Sequence, residues 1–153
     1  MAIPQRKPNR LTGYDYSSAG YYFVTICTRN MDCVLSHVVG CDAHIAPLVK
    51  LTDIGQITFK HLLQIPGIDK YVIMPNHIHI IVKTDGTMWA SSPTQSLSQI
   101  VRSFKTVVSK ELGYSIWQRS YYDHIIRNEQ DYRRIWSYID ENPIKWELDK
   151  YYR

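Results

Sequence analysis

Two strand-like runs stand almost next to each other in the middle of the chain. They are IDKYVIM (68–74) and HIHIIVK (77–83), and only Pro75–Asn76 separates them. Parallel neighbours need a crossover connection of a dozen or more residues, so these two strands can pair only in the antiparallel sense. This constraint predicts a largely antiparallel sheet with helices packed on it, which is an α+β fold class.

Other strand signals agree with that fold class. YYFVTICT (21–28) is rich in β-branched and aromatic residues and predicts a strand. Two short apolar runs between residues 33 and 51 suggest a hairpin. WQRSYYDHIIR (117–127) predicts a further strand near the C-terminal end of the sheet.

Capping residues and helical spacing of apolar residues predict three helices. At each expected start stands a polar residue whose side chain can accept a backbone N–H bond. In the second helix Ser96 and Gln99 form a capping box, and Gly113 follows its expected end. The predicted helices run from Thr52 to about Leu63, from Ser96 to about Leu112, and from Asn128 to an interruption at Pro143.

Size and composition indicate one globular domain. The chain has 153 residues, of which 44% are hydrophobic and 21% charged. The net charge of +4 permits a nucleic-acid partner without proving one. We expect a single domain over residues 1–153 with a basic N-terminal arm, about 1–20. The arm holds Arg6, Lys7 and Arg10, and a solvated terminus is the equally weighted alternative.

Cysteine usage and hydropathy bear on the compartment. The three cysteines are loosely spaced and form no disulfide or zinc-knuckle pattern. No apolar run reaches membrane-spanning length, and the first residues carry no apolar leader. These features predict a cytoplasmic protein without a membrane partner.

His77 and His79 alternate with apolar residues on a predicted strand. Side chains of a strand alternate between its faces, so Ile78, Ile80 and Val82 should point into the core. The two imidazoles then lie side by side on the opposite face, where neutral histidines can share one divalent cation. The alternative is a pair of half-exposed histidines on an outer strand face.

Tyr138 and Asn142 lie four residues apart on the last predicted helix and therefore share a face. Helical geometry places Tyr138 roughly 100° from the centre of the apolar stripe, so its hydroxyl can stand at a site while its ring stays packed. The Asn142 carbonyl oxygen is a suitable hard metal ligand. Alternatively, Tyr138 is a packing residue and Asn142 caps a new turn that begins at Pro143.

The histidine pair and the tyrosine would form one centre if the fold brought them together. A phenol has a pKa of about 10 and is a weak nucleophile at neutral pH. A cation on a phosphate oxygen would polarise the phosphorus and stabilise the developing charge. Attack by Tyr138 would give a covalent phosphotyrosine and release a DNA hydroxyl, which conserves the bond energy for rejoining.

Four segments resemble the HUH single-tyrosine transposases that act on single-stranded DNA, most of all the REP-associated tyrosine transposases. The segments are YDYSSAGYYFVTICT (14–28), YVIMPNHIHIIV (71–82), WQRSYYDHIIR (117–127) and YIDENP (138–143). The resemblance implies a ferredoxin-like palm that recognises imperfect DNA hairpins with flanking single strand. It implies Mg²⁺ or Mn²⁺ as cofactor and Tyr138 as the nucleophile that forms a 5′-phosphotyrosine. The implied metal ligands are His77, His79 and Asn142, the last standing where mobile insertion-sequence relatives commonly carry glutamine.

Three basic residues outside this centre and outside the arm are candidates for DNA contact, as are Arg6, Lys7 and Arg10 of the arm. Arg102 and Lys105 lie off the apolar stripe of the second predicted helix and could follow a phosphate backbone. Arg119, in the segment 117–127, is the third. A solvated surface is the alternative for each.

Two further functions stay open at the level of sequence. A domesticated protein could bind DNA hairpins without cutting them, or a metal-dependent hydrolase could cut through a bound water. His77, His79 and Tyr138 together favour the strand transferase, and the hydrolase ranks last because a second carboxylate or histidine cluster is missing. Mobile relatives are dimers, so a homodimer is also expected as an option, with the tyrosine acting on either subunit's histidines.

Overall fold

The computed structural model describes residues 20–40, 47–84 and 95–153, and the predicted arm residues Arg6, Lys7 and Arg10 lie outside those ranges. The strands are β1 (Gly20–Cys27), β2 (Ser36–Val39), β3 (Leu48–Leu51), β4 (Ile68–Ile73), β5 (His77–Thr84) and β6 (Tyr122–Ile126). The helices are α1 (Asp53–Leu62), α2 (Leu97–Leu112) and α3 (Glu129–Glu141), followed by a 3-10 turn at Trp146–Leu148.

The main sheet has four strands in the order β4-β5-β1-β6, and every neighbouring pair is antiparallel. Strands β4 and β5 form the tight hairpin that the short Pro75–Asn76 link requires, closed by a bond from Met74 N–H to the His77 carbonyl at 2.9 Å. Strands β2 and β3 pair separately as a two-stranded sheet. The predicted antiparallel α+β fold is therefore confirmed.

Each helix begins at the capping residue that the sequence indicates. Thr52 accepts a bond from the Gly55 N–H, Ser96 and Gln99 form the capping box, and Asn128 caps α3. Gly113 ends α2 in the left-handed conformation at φ 84°. None of the helices in the described ranges has the length and apolarity that crossing a membrane requires.

Helices cover both faces of the main sheet. On the first face, α1 and α2 enclose the larger core, whose sheet residues are Tyr22, Val24, Ile26, Ile73, Ile78, Ile80 and Val82. On the second face, α3 packs a smaller cluster of Ile81, Ile126, Ile135 and Ile139. Alternate residues of β5 thus point to opposite faces as predicted, and His77 and His79 lie on the face that carries α3.

The strand predicted over 117–127 is shorter than expected, and this prediction is corrected to β6, Tyr122–Ile126. Upstream of β6, Trp117 makes only an isolated bridge to Thr28. The Lys105 ammonium donates hydrogen bonds to the carbonyls of Gln118 (2.8 Å) and Ser120 (2.9 Å). Because these carbonyls face a side chain of α2, they are not available to a neighbouring strand.

Gly55 stands where the fold leaves no room for a side chain. A Cβ atom built there would lie 1.9 Å from the Leu35 carbonyl oxygen, which is backbone and cannot swing away. We expect Gly55→Ala to lower the free energy of unfolding by about 3 kcal/mol or more, measured by urea denaturation. Gly20→Ala is the matched control, because its Cβ meets nothing within 4 Å; equal losses for both variants would contradict the clash.

Candidate active site

The two histidines of β5 lie side by side, and both are covered. Their ring centroids are 4.5 Å apart, and the exposed fractions are 0% for His77 and 1% for His79. The Tyr151 ring lies 4.5 Å from the His77 ring, and the Trp146 ring lies 5.9 Å from the same His77 ring. The alternative of half-exposed histidines on an outer strand face is therefore wrong, because residues of the C-terminal region close over that face.

Asn76 fixes the tautomer of His77. The Asn76 amide nitrogen donates to the carbonyls of Tyr151 at 2.7 Å and Met31 at 3.3 Å, so its Oδ1 atom must face His77 as an acceptor. His77 Nδ1, at 2.8 Å, therefore carries the proton. The lone pair is left on Nε2, as in a metal-binding histidine whose other nitrogen is held by a neighbouring polar group.

Thr25 orients the ring of His79. Its hydroxyl lies 2.8 Å from His79 Nδ1 across the β1–β5 pairing, where Thr25 and His79 are direct register partners. The Nε2 atoms of His77 and His79 are both buried and have no hydrogen-bond partner among the described residues. Burying such an atom without a partner costs free energy, so the arrangement indicates a ligand.

Electrostatics keep both imidazoles neutral. Burial lowers the pKa of His77 to about 3, against a smaller opposing effect of the nearby Asn142 side chain. Burial also lowers the pKa of His79 well below its usual value, and the neighbouring His77 adds to that shift. At neutral pH both imidazoles are therefore uncharged, which is the form that binds a metal ion.

Tyr138 reaches the histidine pair of its own chain. Its ring packs 5.3 Å from the His79 ring and 6.0 Å from the Phe23 ring, while 40% of the residue stays exposed. Burial raises the pKa of the Tyr138 hydroxyl, and a side-chain interaction with Asn142 opposes that rise. The flanking position predicted for Tyr138 is confirmed: the ring is packed and the residue still meets solvent.

Asn142 lies next to both partners of the site. It ends α3, is 2% exposed, and influences the pKa of His77 as well as that of Tyr138. Its Oδ1 atom is buried and aligned with no donor of the described residues. The three ligands inferred from the sequence thus each have one buried atom without a hydrogen-bond partner among the described residues, His77 Nε2, His79 Nε2 and Asn142 Oδ1. Two imidazole nitrogens and one amide oxygen fit a divalent cation.

Sequence reasoning missed four residues around this centre. Asn76 was interpreted only as part of the hairpin link, although its position directly before the histidine pair was a usable signal. Thr25 could have been found only from the register of β1 on β5. Asp149 and Tyr151 belong to the C-terminal tail, and no local pattern indicates that they return to the histidines.

Six basic residues are expected to contact DNA, and the three that lie in the described ranges come together. Arg102 and Lys105 of α2 and Arg119 line one cleft of about 300 Å³. Lys105 and Arg119 also line a larger groove of about 1150 Å³. Lys105 is partly engaged in the fold through its bonds to Gln118 and Ser120, whereas Arg102 and Arg119 are exposed.

No family model matches the chain, but similar proteins are found both by sequence and by structure. An uncharacterised protein of Haemophilus influenzae is 35% identical over 98% of this chain and 94% of that protein. A REP-associated tyrosine transposase of Escherichia coli is 32% identical over 80 residues, which is 51% of this chain and 44% of the relative. The solved structure of a REP-associated tyrosine transposase bound to a REP hairpin matches 98% of this chain and 77% of that chain, with a TM-score of 0.61 and 23% identity.

These similarities and the geometry of the site define the class of protein: the chain is a homologue of the REP-associated tyrosine transposases and shares their HUH fold. Within that class it belongs to one family with the Haemophilus influenzae protein, which it matches along nearly its whole length. The chain spans less than half of the named Escherichia coli relative, so activity and substrate have to be argued from the site itself.

Proposed function

We propose that the protein is a metal-dependent DNA strand transferase that cuts and rejoins single-stranded DNA beside a hairpin, with Tyr138 as nucleophile. The observation that carries the proposal is the packing of the Tyr138 ring 5.3 Å from the His79 ring, next to two buried imidazole nitrogens without partners. Phenol and imidazoles are thus within reach of one phosphate. A single chain is sufficient for this arrangement.

The chemistry follows from the roles of these residues. His77, His79 and Asn142 would hold Mg²⁺ or Mn²⁺, which supplies charge stabilisation at a phosphate oxygen. Asn76 holds His77 in the tautomer that leaves its Nε2 atom free, and Thr25 holds the His79 ring in position through its Nδ1 atom. The Tyr138 oxygen loses its proton and attacks phosphorus, the P–O3′ bond breaks, and the released 3′ oxygen takes up a proton. The product is a 5′-phosphotyrosine, and attack by a 3′-hydroxyl reverses the step.

The groove of about 1150 Å³ has the chemistry of a single-stranded DNA path. Four basic residues line it, and none of the described residues along it is acidic: Arg29, Lys105, Lys110 and Arg119. Two exposed aromatic residues also line it, Tyr114 and Tyr122, whereas Trp117 beside them is buried in the core. Cationic side chains follow a phosphate backbone and aromatic rings stack on unpaired bases.

Salt dependence should identify this groove as a phosphate-binding surface. We expect Arg119→Gln and Lys110→Gln each to weaken hairpin binding and to reduce the slope of log K against log [salt] by about 0.7 to 1, since each removes roughly one phosphate contact. Fluorescence anisotropy over a salt series measures this slope. Lys50→Gln, on β3 and outside the groove, is the control. Slopes that stay at the wild-type value in both groove variants would contradict the proposed path.

A hairpin-binding protein that does not cut is the second candidate, and one observation favours it. The imidazoles are closed off by Tyr151 and Trp146, so a phosphate would have to displace part of this cover. A protein that only binds DNA would not need to open the centre.

An end-labelled hairpin oligonucleotide decides between the candidates. The oligonucleotide carries an imperfect hairpin with a single-stranded flank and is incubated with Mn²⁺, then resolved on a denaturing gel. With a 3′ label we expect a covalent protein adduct, whereas a 5′ label should run as a shorter free strand, because Tyr138 keeps the 5′ phosphate. Binding without adduct across a panel of hairpins supports the second candidate. Cleavage without any adduct indicates water as the nucleophile and overturns the proposal.

A further inference from the structure

A carboxylate from the C-terminal tail stands at the histidine pair. The ligand atoms of His77, His79 and Asp149 all lie within 4.8 Å of one another. Asp149 follows the 3-10 turn at Trp146–Leu148, eight residues beyond the end of α3 at Glu141. It is partly buried, unlike the exposed acid Glu147 two residues earlier. No local pattern places it here, and neither the family resemblance nor the donor set of the proposed mechanism includes it.

The bonds of Asp149 hold the tail over the site while leaving one carboxylate oxygen available. Its Oδ1 atom accepts a bond from the Tyr151 N–H at 2.8 Å, and its carbonyl accepts one from the Tyr152 N–H at 3.0 Å. Its Oδ2 atom receives no hydrogen bond from the residues that the structure describes. Turn formation therefore accounts for one oxygen of the carboxylate and not for the other.

The spacing suits a shared cation. Ligands of an octahedral ion with bonds of about 2.1 Å lie roughly 3 Å apart when adjacent and about 4.2 Å apart when opposite. Atoms within 4.8 Å of one another need only a small inward movement to reach that range. A carboxylate also supplies what the two neutral imidazoles and the amide of Asn142 lack, which is negative charge to balance the cation.

We propose that Asp149 is a further metal ligand, so that cation binding and closure of the C-terminal tail, residues 143–153, are coupled. This inference rests on the proposed function, since it adds a ligand to the same centre. The tail already makes one hydrogen bond at the site, in which the Asn76 amide nitrogen donates to the Tyr151 carbonyl at 2.7 Å. A cation bound by His77, His79 and Asp149 would fasten the tail at a second point. Because such coupling is reciprocal, the factor by which the cation favours the closed tail is also the factor by which opening of the tail weakens cation binding.

Metal titration without DNA tests the ligand. We expect Asp149→Asn to weaken Mn²⁺ binding at least about tenfold in isothermal titration calorimetry, the loss typical when a metal site is disturbed. The asparagine keeps the acceptor for the Tyr151 N–H, so the turn should persist. Glu147→Gln removes the same charge from the same tail at an exposed position and should bind Mn²⁺ as the wild type does. Mn²⁺ affinity of Asp149→Asn equal to that of the wild type would overturn the proposal.

Hydrogen exchange tests the coupling in the unmodified protein and does not depend on a variant folding. We expect Mn²⁺ to slow amide exchange in the peptide that covers 146–153 of the wild type, and to have no such effect in Asp149→Asn. If Mn²⁺ does not change the rate of amide exchange in this peptide of the wild type, the proposed coupling is wrong.

The histidine variants separate this inference from the proposed function. If His79→Ala loses Mn²⁺ binding while Asp149→Asn retains it, the metal centre stands and Asp149 is not part of it. If the wild type and His79→Ala bind Mn²⁺ equally, the metal centre of the proposed function fails, and this inference fails with it.

Discussion

Tyr138→Phe is expected to bind hairpin DNA as the wild type does and to form no covalent adduct. The substitution removes one oxygen and keeps the ring that packs on His79 and Phe23, so the fold should be preserved. No bond to phosphorus can form without that oxygen, and the rate of strand cleavage should fall by about 10⁴-fold or more. The adduct gel and anisotropy on the same preparation measure both effects.

Tyr151→Phe is the matched control, because Tyr151 is the other phenol against the histidine pair. Its ring lies 4.5 Å from the His77 ring. Burial raises the pKa of the Tyr151 hydroxyl, as it does for Tyr138, but the opposing effect of Asn142 acts on Tyr138. Tyr151→Phe should therefore still form the adduct. An adduct that survives in Tyr138→Phe and disappears in Tyr151→Phe would reassign the nucleophile.

Local sequence patterns were sufficient for most of the fold. The short Pro75–Asn76 link required an antiparallel hairpin, and Thr52 and Asn128 marked helix starts through bonds that the structure contains. The prediction over 117–127 was wrong in its first five residues, because the deciding contact comes from elsewhere in the chain. Lys105 takes the carbonyls of Gln118 and Ser120, and no pattern within 117–121 encodes a bond to a lysine on α2.

In the site, too, the features that depend on neighbouring residues were predictable, and the contacts between distant segments were not. Strand alternation placed His77 and His79 on one face, and helical spacing placed Tyr138 with Asn142, since both rules depend only on neighbouring residues. Alternation specifies a face and says nothing about what covers it. The alternative of half-exposed histidines is wrong because Tyr151, 74 residues beyond His77, returns over the imidazole. The position of Asp149 depends on the same return of the chain.

His77→Ala and His79→Ala should each abolish cleavage and leave most hairpin binding intact. Each variant removes one of two buried nitrogens that have no partner in the described structure, and with it the means to hold a cation. The basic groove that we propose for DNA lies outside the histidine pair, so affinity for the hairpin should change little. Excess EDTA should have the same effect on the wild type.

His124→Ala provides the matched control for the loss of an imidazole. His124 lies on β6, two strands from β5, and its half-exposed side chain pairs with Asp131 at 2.7 Å. This variant should cut hairpin DNA at the wild-type rate, so a general effect of losing a histidine can be separated from loss of the centre. If the wild type cuts at its full rate in excess EDTA, or if His79→Ala cuts at the wild-type rate in Mn²⁺, strand cutting does not use a cation. Tyr138 would then need another source of charge stabilisation, because burial raises its pKa and leaves the phenol a poorer nucleophile than it is in water.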